Sequence, residues 1–352
     1  MRAMFFVTLL RRRPVLPFAI LLLLLGLGVW PDSSQNAGQA QNAATGDVEI
    51  LPVQGNVYLI ARAGANIAVL TGKEGVLLVD AGVAPMANKV LAAVAKIANP
   101  KPASRLEGKI RFIVDTNADP DHTGANEILS EAGIGNVTND PANRLSTVGA
   151  DPATLIAHEK VAEFLLSPPG GGTPAPIAAV PQNIYTGAGD AVKDLYFGDE
   201  GLQIIHAPAA HTAGDSIVYF RRSDVVSAGD VYVTTGYPSI DLSRGGSLQG
   251  IIAGLNRILE IAIPGHSEED GTIIIPGHGR LSDEADVAEY RDMVVILRDR
   301  IEAMIKKGAT LEQVKAARLT RDYDPEYGAG GAGSVGTDKF VEAAYKSLAA
   351  KK

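Results

Sequence analysis

Residues 110–124, IRFIVDTNADPDHTG, decide how this chain reads. The first five are a largely apolar, branched run of strand length. Thr116, Asn117, Asp119, Asp121 and His122 follow, with Pro120 and Gly124 as breakers. Four other strand-like runs end in the same manner. Gly75–Val79 stops at Asp80, Gln203–Ile205 leads to His211, Val225–Ser227 to Asp230, and Thr272–Ile275 to His278. Strands packed into one core present their ends along a common edge. Acidic and imidazole groups distant in sequence can meet there, on loops held by a rigid scaffold. Taken singly, each residue has a plainer reading: aspartate after a strand is turn chemistry, and a lone histidine is a partly buried polar side chain. Taken together, three of only six histidines fall at such loops beside glycine and aspartate, which chance placement does not explain and which points to a binding site.

Outward from that stretch, short apolar runs alternate with helical patterns. Strands are expected at 56–60 and 67–70, with Gly64 in the turn between them, and at 217–220. Helices are expected at 86–97, 125–132 and 248–261. From Ala285 to Lys307, apolar Val287, Tyr290, Val294, Leu297, Ile301 and Met304 step by three and four, the pattern of a long amphipathic helix. It reads as a packing element, with a dimer interface as the alternative. Residues 168–176 and 328–336, rich in Pro and Gly, read as loops. The body is expected to be one α/β domain, 41–284, with a helical C-terminal extension, 285–352, packed on it.

Composition narrows the function. The chain has 352 residues, 46% hydrophobic and 20% charged, a globular profile that fits neither disorder nor a polytopic membrane protein. It has no cysteine, so disulfides, thiolate sites and cysteine nucleophiles are excluded, and a metal must be held by nitrogen and oxygen. Arg11, Arg12 and Arg13 precede an apolar run from Val15 to Trp30, then a polar stretch in which Gly38 and Ala40 suit a cleavage site. Residues 1–40 therefore read as an export signal, or as an uncleaved anchor in the inner membrane. The expected location is periplasmic or secreted, with the membrane touched only through that segment if it is retained. Four arginines and one aspartate lie within it, so the remainder is more acidic than the net −8 of the whole chain. An acidic body without a basic cluster argues against nucleic acid as a partner and leaves a small-molecule substrate.

Five ordered segments carry a resemblance: Gly75–Gly82; 116–124; His211-Thr212-Ala213-Gly214-Asp215; Ala228-Gly229-Asp230; and Pro276-Gly277-His278-Gly279. Together they resemble the motifs of the metallo-β-lactamase superfamily, across residues from about 47 to 284. The resemblance implies an αββα sandwich, two sheets face to face with helices outside and metals at one edge. It also implies one metal held by Asp121, His122 and His278, with Asp230 bridging to a second position. That second position corresponds to the family's first metal site, for which the resemblance supplies Asn117, Asp119 and His211. The family's Thr-His-x-His-x-Asp-His-x-Gly is here Thr116-Asn117-x-Asp119-x-Asp121-His122-x-Gly124, so two histidines are replaced by an amide and a carboxylate, harder ligands. Asp119, Asp121 and Asp230 would crowd one pocket, a strain that a divalent cation relieves. One zinc ion is expected, with iron or manganese, or a second ion, as alternatives.

Roles follow from that implied site. A bound cation acidifies the water it coordinates, generating hydroxide, and polarises the scissile group. Asp121 would ligate the metal and orient the nucleophile. Asp80, Thr116 and Asp215 would hold histidine tautomers and loop geometry, or serve only as turn and capping residues. His158, in a helical pattern, and His206 read as packing or hydrogen-bonding groups, and His266 as solvated. Tyr232 and Tyr237 read as packing residues, or as lining for a substrate pocket. The expected activity is metal-dependent hydrolysis of an ester, thioester, lactone, amide or β-lactam. The alternative is a non-catalytic metal- or ligand-binding protein that kept the fold after losing the two histidines.

Overall fold

The computed structural model describes residues 46–98, 104, 106–135, 151–187, 189, 191–265 and 271–350. The export-signal reading of residues 1–40 and the reading of His266 lie outside the described residues. Among the described residues no helix is long and apolar enough to cross a membrane.

Strands β1 (Glu49–Gln54), β2 (Val57–Ala61), β3 (Ile67–Gly72), β4 (Gly75–Val79), β5 (Ile110–Val114), β6 (Thr154–His158) and β7 (Asn183–Tyr185) form one sheet in chain order. Pairing is antiparallel from β1 to β4 and parallel from β4 to β7. A second sheet contains β8 (Val192–Phe197), β9 (Glu200–His206), β10 (Ser216–Phe220) and β11 (Val225–Ser227), and β13 (Ile273–Ile275) joins it parallel to β11. Between β11 and β13 comes β12 (Tyr237–Pro238), which pairs with β14 (Ser334–Val335) in a small ribbon.

Alternation along the strands decides how the layers stack, because successive side chains leave a strand on opposite faces. Leu59, Leu70, Leu77 and Val79 of the first sheet meet Leu202, Ile204, Val218, Phe220 and Ile275 of the second in one core between the sheets. Their neighbours Ile60, Val69, Val76 and Leu78 face the other way, onto the helix Ala87–Ile97. Ile205, Ile217, Val226 and Ile274 likewise face outward from the second sheet, onto the helices Leu248–Ile261, Glu284–Lys306 and Thr337–Ala349. The result is an αββα sandwich with helices at its C-terminal end.

Several strands and helices have the expected bounds, among them β4, β5, β11 and the helix Leu248–Ile261. His158 does not lie in a helix. It ends β6 and its Nδ1 accepts the N–H of Lys160 at the start of the helix Glu159–Leu166. The glycine-rich segment 328–336 is not loop throughout, since it contains β14. Residues on both sides of position 284 share one cluster, in which Tyr237 stacks on Phe340 and Leu248 N–H donates to Ser347 Oγ. The long helix Glu284–Lys306 buries its apolar stripe in that cluster.

Candidate metal centre

Parallel pairing places the ends of β4 and β5 on one edge of the first sheet, and those of β11 and β13 on one edge of the second. β9 runs antiparallel to β10, and β10 antiparallel to β11, so β9 ends on that edge too. Backbone bonds lace the loops beyond these ends. Asp80 N–H donates to Val114 O, Ala81 N–H to His122 O, and Ser216 N–H of the second sheet to Thr116 O of the first. Asn66, after β2, donates its amide to Pro276 O and Gly279 O at 3.0 Å each and pins the last loop to the first sheet. Gly277 is needed there: a Cβ would lie 2.3 Å from Asp230 Oδ1.

Asp121, His122 and His278 each bring one ligand atom into a single group, and Asp119, His211 and Asp230 do so in a second. Asp230 joins the two, because its Oδ2 is 3.3 Å from His122 Nε2 and its Oδ1 is 3.5 Å from His278 Nε2. His278 Nε2 is also 3.3 Å from Asp121 Oδ2. Two atoms bound at about 2.0–2.2 Å to one tetrahedral cation lie roughly 3.3–3.5 Å apart. His122 Nε2, His278 Nε2 and Asp230 Oδ1 are all buried, and none makes a hydrogen bond. Buried polar atoms without hydrogen-bond partners are costly, so two imidazole nitrogens facing one buried carboxylate at 3.3 and 3.5 Å fit a divalent ion. The nitrogen-and-oxygen donor set suits zinc.

Asp80 prepares His122. Its carboxylate accepts Thr116 N–H at 2.8 Å and the Thr116 hydroxyl at 2.9 and 3.0 Å, and Oδ2 lies 2.9 Å from His122 Nδ1. A carboxylate only accepts, so a proton resides on Nδ1, and with a cation bound Nε2 would offer its lone pair to it. Asp80 has φ of +68°, a strained setting that this network holds. His211 is set similarly, its Nδ1 3.1 Å from Ser239 O. Asp215 makes no hydrogen bond to His211 and acts on it through charge. It accepts Thr212 N–H at 2.6 Å and the Thr212 hydroxyl at 3.1 Å, and so shapes the 211–215 turn.

Charge follows this geometry. Burial disfavours an imidazolium at His122, yet Asp230 and Asp80 hold its pKa well above the ordinary value. Burial also opposes ionised Asp230, but the His122 and His278 imidazoles bring it to about 2. At Asp215 burial prevails and raises the carboxyl to about 7. At His211 burial is outweighed by Asp119, and the pKa rises to about 10.

The Asn117/Asp119/His211 position looks different. Asn117 Oδ1 accepts Asp119 N–H at 2.8 Å, and its buried NH2 group has no hydrogen-bond partner. The oxygen expected as a ligand thus holds the loop with one of its two lone pairs, while the NH2 group cannot ligate a metal. Asp119 Oδ2 lies 3.1 Å from His211 Nε2, and Oδ1 is in ionic contact with Arg244 Nη1, without the alignment of a hydrogen bond. No local pattern in the sequence marks Arg244. The surplus negative charge at Asp119 was the available signal that a cation should be nearby.

Of the other histidines, the described His158 and His206 stay out of both groups. His158 and His206 stack with ring centroids 3.8 Å apart, and His206 faces Gly189 O and Ala213 O. Tyr232 bonds Ser282, Tyr237 bonds Asp324, and both are core residues. A cavity of about 450 Å³ opens beside Asp119 and His211, walled by Arg244 and by Lys339 and Lys346 of the last helix. The C-terminal extension also reaches the centre through Gly333, where a Cβ would lie 1.9 Å from His278 Cδ2.

Known proteins agree with this architecture. A family profile, that of the metallo-beta-lactamase superfamily, matches residues 51–278. Comparison with curated proteins gave no match. Among solved structures, the stereoselective inverting sec-alkylsulfatase Pisa1 from Pseudomonas sp. superposes with a TM-score of 0.59 at 16% identity, over 88% of this chain and 54% of that one. A double mutant of that sulfatase gives 0.60 at 16% identity, over 88% and 51%. The chain thus spans about half the length of these structures. A metallo-beta-lactamase from Pontibacter korlensis gives 0.49 at 15% identity, over 71% and 99%.

Proposed function

The chain belongs to the metallo-beta-lactamase superfamily, and from that premise we propose a metal-dependent hydrolase built around one divalent cation held by Asp121, His122, Asp230 and His278. The observation that carries this reading is a buried Asp230 carboxylate 3.3 Å from His122 Nε2 through Oδ2 and 3.5 Å from His278 Nε2 through Oδ1, with both imidazole nitrogens and Oδ1 lacking hydrogen-bond partners. Zinc suits the donors best, with iron and manganese as alternatives. When bound, such a cation acidifies water and polarises the bond to be cleaved.

The chain's own groups do the rest. Asp80 keeps the Nδ1 proton on His122. Asp121, with its side chain 30% exposed, is the carboxylate of the set open to solvent and orients the attacking water. Asp230, almost fully buried between His122 and His278, fixes the spacing of the two imidazoles. The cavity beside Asp119 and His211 receives a small substrate with a hydrolysable ester, thioester, lactone, amide or β-lactam. Likeness to an alkylsulfatase fold adds sulfate esters to that panel. The order of arginines, apolar run and small residues in 1–40 supports export, by a cleaved signal or a retained anchor.

Metal analysis of the purified protein should find close to one equivalent. Hydrolysis across a chromogenic panel should vanish in His278→Ala and Asp230→Ala. A protein that holds metal yet turns over nothing on a broad panel would instead support the second reading, a metal- or ligand-binding protein without catalysis. Asn117 and Asp119, standing where the resemblance calls for histidines, are what favour that alternative.

A further inference from the structure

At the position that the family's plan assigns to a first metal, Asp119, His211 and Asp230 still bring ligand atoms together, but these groups already have partners other than a metal. Asn117 has turned its oxygen to Asp119 N–H. Both oxygens of Asp119 are engaged, one by the Arg244 guanidinium and the other by His211 Nε2. What remains for a second cation is a carboxylate already neutralised and one imidazole, with Asp230 shared.

Arg244 is built into that place rather than lying there by chance. It closes the short turn Leu242–Arg244, which Asp241 caps by accepting Ser243 N–H and Arg244 N–H at 2.9 and 3.1 Å. Asp241 Oδ2 also accepts Arg244 Nε at 2.6 Å and fixes the plane of the guanidinium. The backbone of this turn is sewn to the His211 loop by Asp241 N–H to His211 O, at 2.9 Å, and Ala213 N–H to Arg244 O, at 2.9 Å. Gly246 permits the approach, since a Cβ there would lie 2.0 Å from His211 O. The Phe164 ring lies 6.0 Å from the guanidinium carbon. The side chain is only 16% exposed and cannot swing freely into water.

We propose that the Arg244 guanidinium is a resident cation that takes the place of the first metal, so that this chain binds a single divalent ion. A guanidinium keeps its charge at any pH a protein survives and cannot be stripped by chelators. It neutralises Asp119, which an imidazole at that position would not have required. Its fixed charge also repels a second divalent ion from the Asp119/His211/Asp230 group. The inference rests on the single-cation reading of the neighbouring group.

The test is metal stoichiometry in the full chain, stripped with a chelator, reloaded with excess zinc and freed of unbound ion by gel filtration. Wild type should retain about one equivalent. Arg244→Met, which keeps the stem beside Phe164 without the charge, and Arg244→Ala should each retain about two, through Asp119, His211 and Asp230. Wild type at two equivalents, or wild type and both variants at one, overturns the proposal and leaves the neighbouring site standing. Wild type that retains none overturns the single-cation reading, and the proposal with it. A second measurement needs no variant. The side-chain Nε–H signal of Arg244 should be unchanged when zinc is raised past one equivalent, and its collapse at a second equivalent overturns the assignment.

Discussion

Replacing Asp80 by asparagine tests whether the tautomer of His122 is what prepares the site. In the native arrangement the carboxylate accepts on every side: from Thr116 N–H at 2.8 Å, from the Thr116 hydroxyl at 2.9 and 3.0 Å, and from His122 Nδ1 at 2.9 Å. An asparagine cannot do so. Its NH2 group must face either Thr116 N–H, donor against donor, or His122 Nδ1. The second costs less, because the imidazole can move its proton to Nε2, and Nε2 then ceases to be a ligand. Asparagine tolerates the φ of +68° at this position, so backbone strain is held constant where alanine would change it. Disturbing the partner behind a metal-bound histidine costs about 10–100-fold in metal affinity. That is about 1.4–2.7 kcal/mol at 1.36 kcal/mol per tenfold. Asp80 and His122 are 1% and 0% exposed, so water cannot replace the lost partner, and the upper half of the range, roughly 30–100-fold, is expected. Zinc competition against a chromophoric chelator reads this directly, and circular dichroism of the metal-free protein checks the fold. A well-folded Asp80→Asn protein whose zinc affinity stays within about threefold of wild type would refute the tautomer account.

Three further outcomes follow from the same structure. Gly333→Ala places a Cβ 1.9 Å from His278 Cδ2 at φ of +64°, so zinc affinity should fall about tenfold or more; Gly171→Ala, with φ of +80° and nothing within 4 Å, controls for strain, and equal affinities in the two variants would count against the contact. In the metal-free protein, His211 is raised to about 10, so its contribution to stability is fully present below the unfolded value of about 6.5 and is lost as pH climbs toward 10. Melting temperature measured with chelator should therefore decline across that window, while the increment given by added zinc should grow with pH because protons compete less; a metal-free protein that gains stability over the same range would contradict this. Leu77→Ala, at a site 0% exposed between the sheets, should cost about 2–5 kcal/mol in denaturant unfolding, and a loss below about 1 kcal/mol would show that the site collapses freely.

Much of the fold was legible because strands leave a local record. β4, β5 and β11 are short apolar runs bounded by breakers, and the helix Leu248–Ile261 carries its buried residues at helical spacing. The less legible strands lack that record. β8 alternates exposed and half-buried residues and pairs only with β9, so little burial marks it. β12 and β14 have two residues each, too few for any period. His158 reads as helical because β6 runs directly into a helix, and a strand-to-helix junction without a breaker shows no boundary in sequence.

Order along the chain is enough to show which residue types stand at the strand ends, that cysteine takes no part, and that Asp119 adds an anion where the family pattern has a neutral ring. Those are local or compositional properties, readable from order alone. Tertiary structure decided the pairing: Asp230 between His122 and His278, Asn117 turned back onto its own loop, Arg244 against Asp119, and Gly333 against His278. Such contacts join loops whose proximity is set by sheet order and packing direction, and no periodicity along the chain encodes which loop tip meets which.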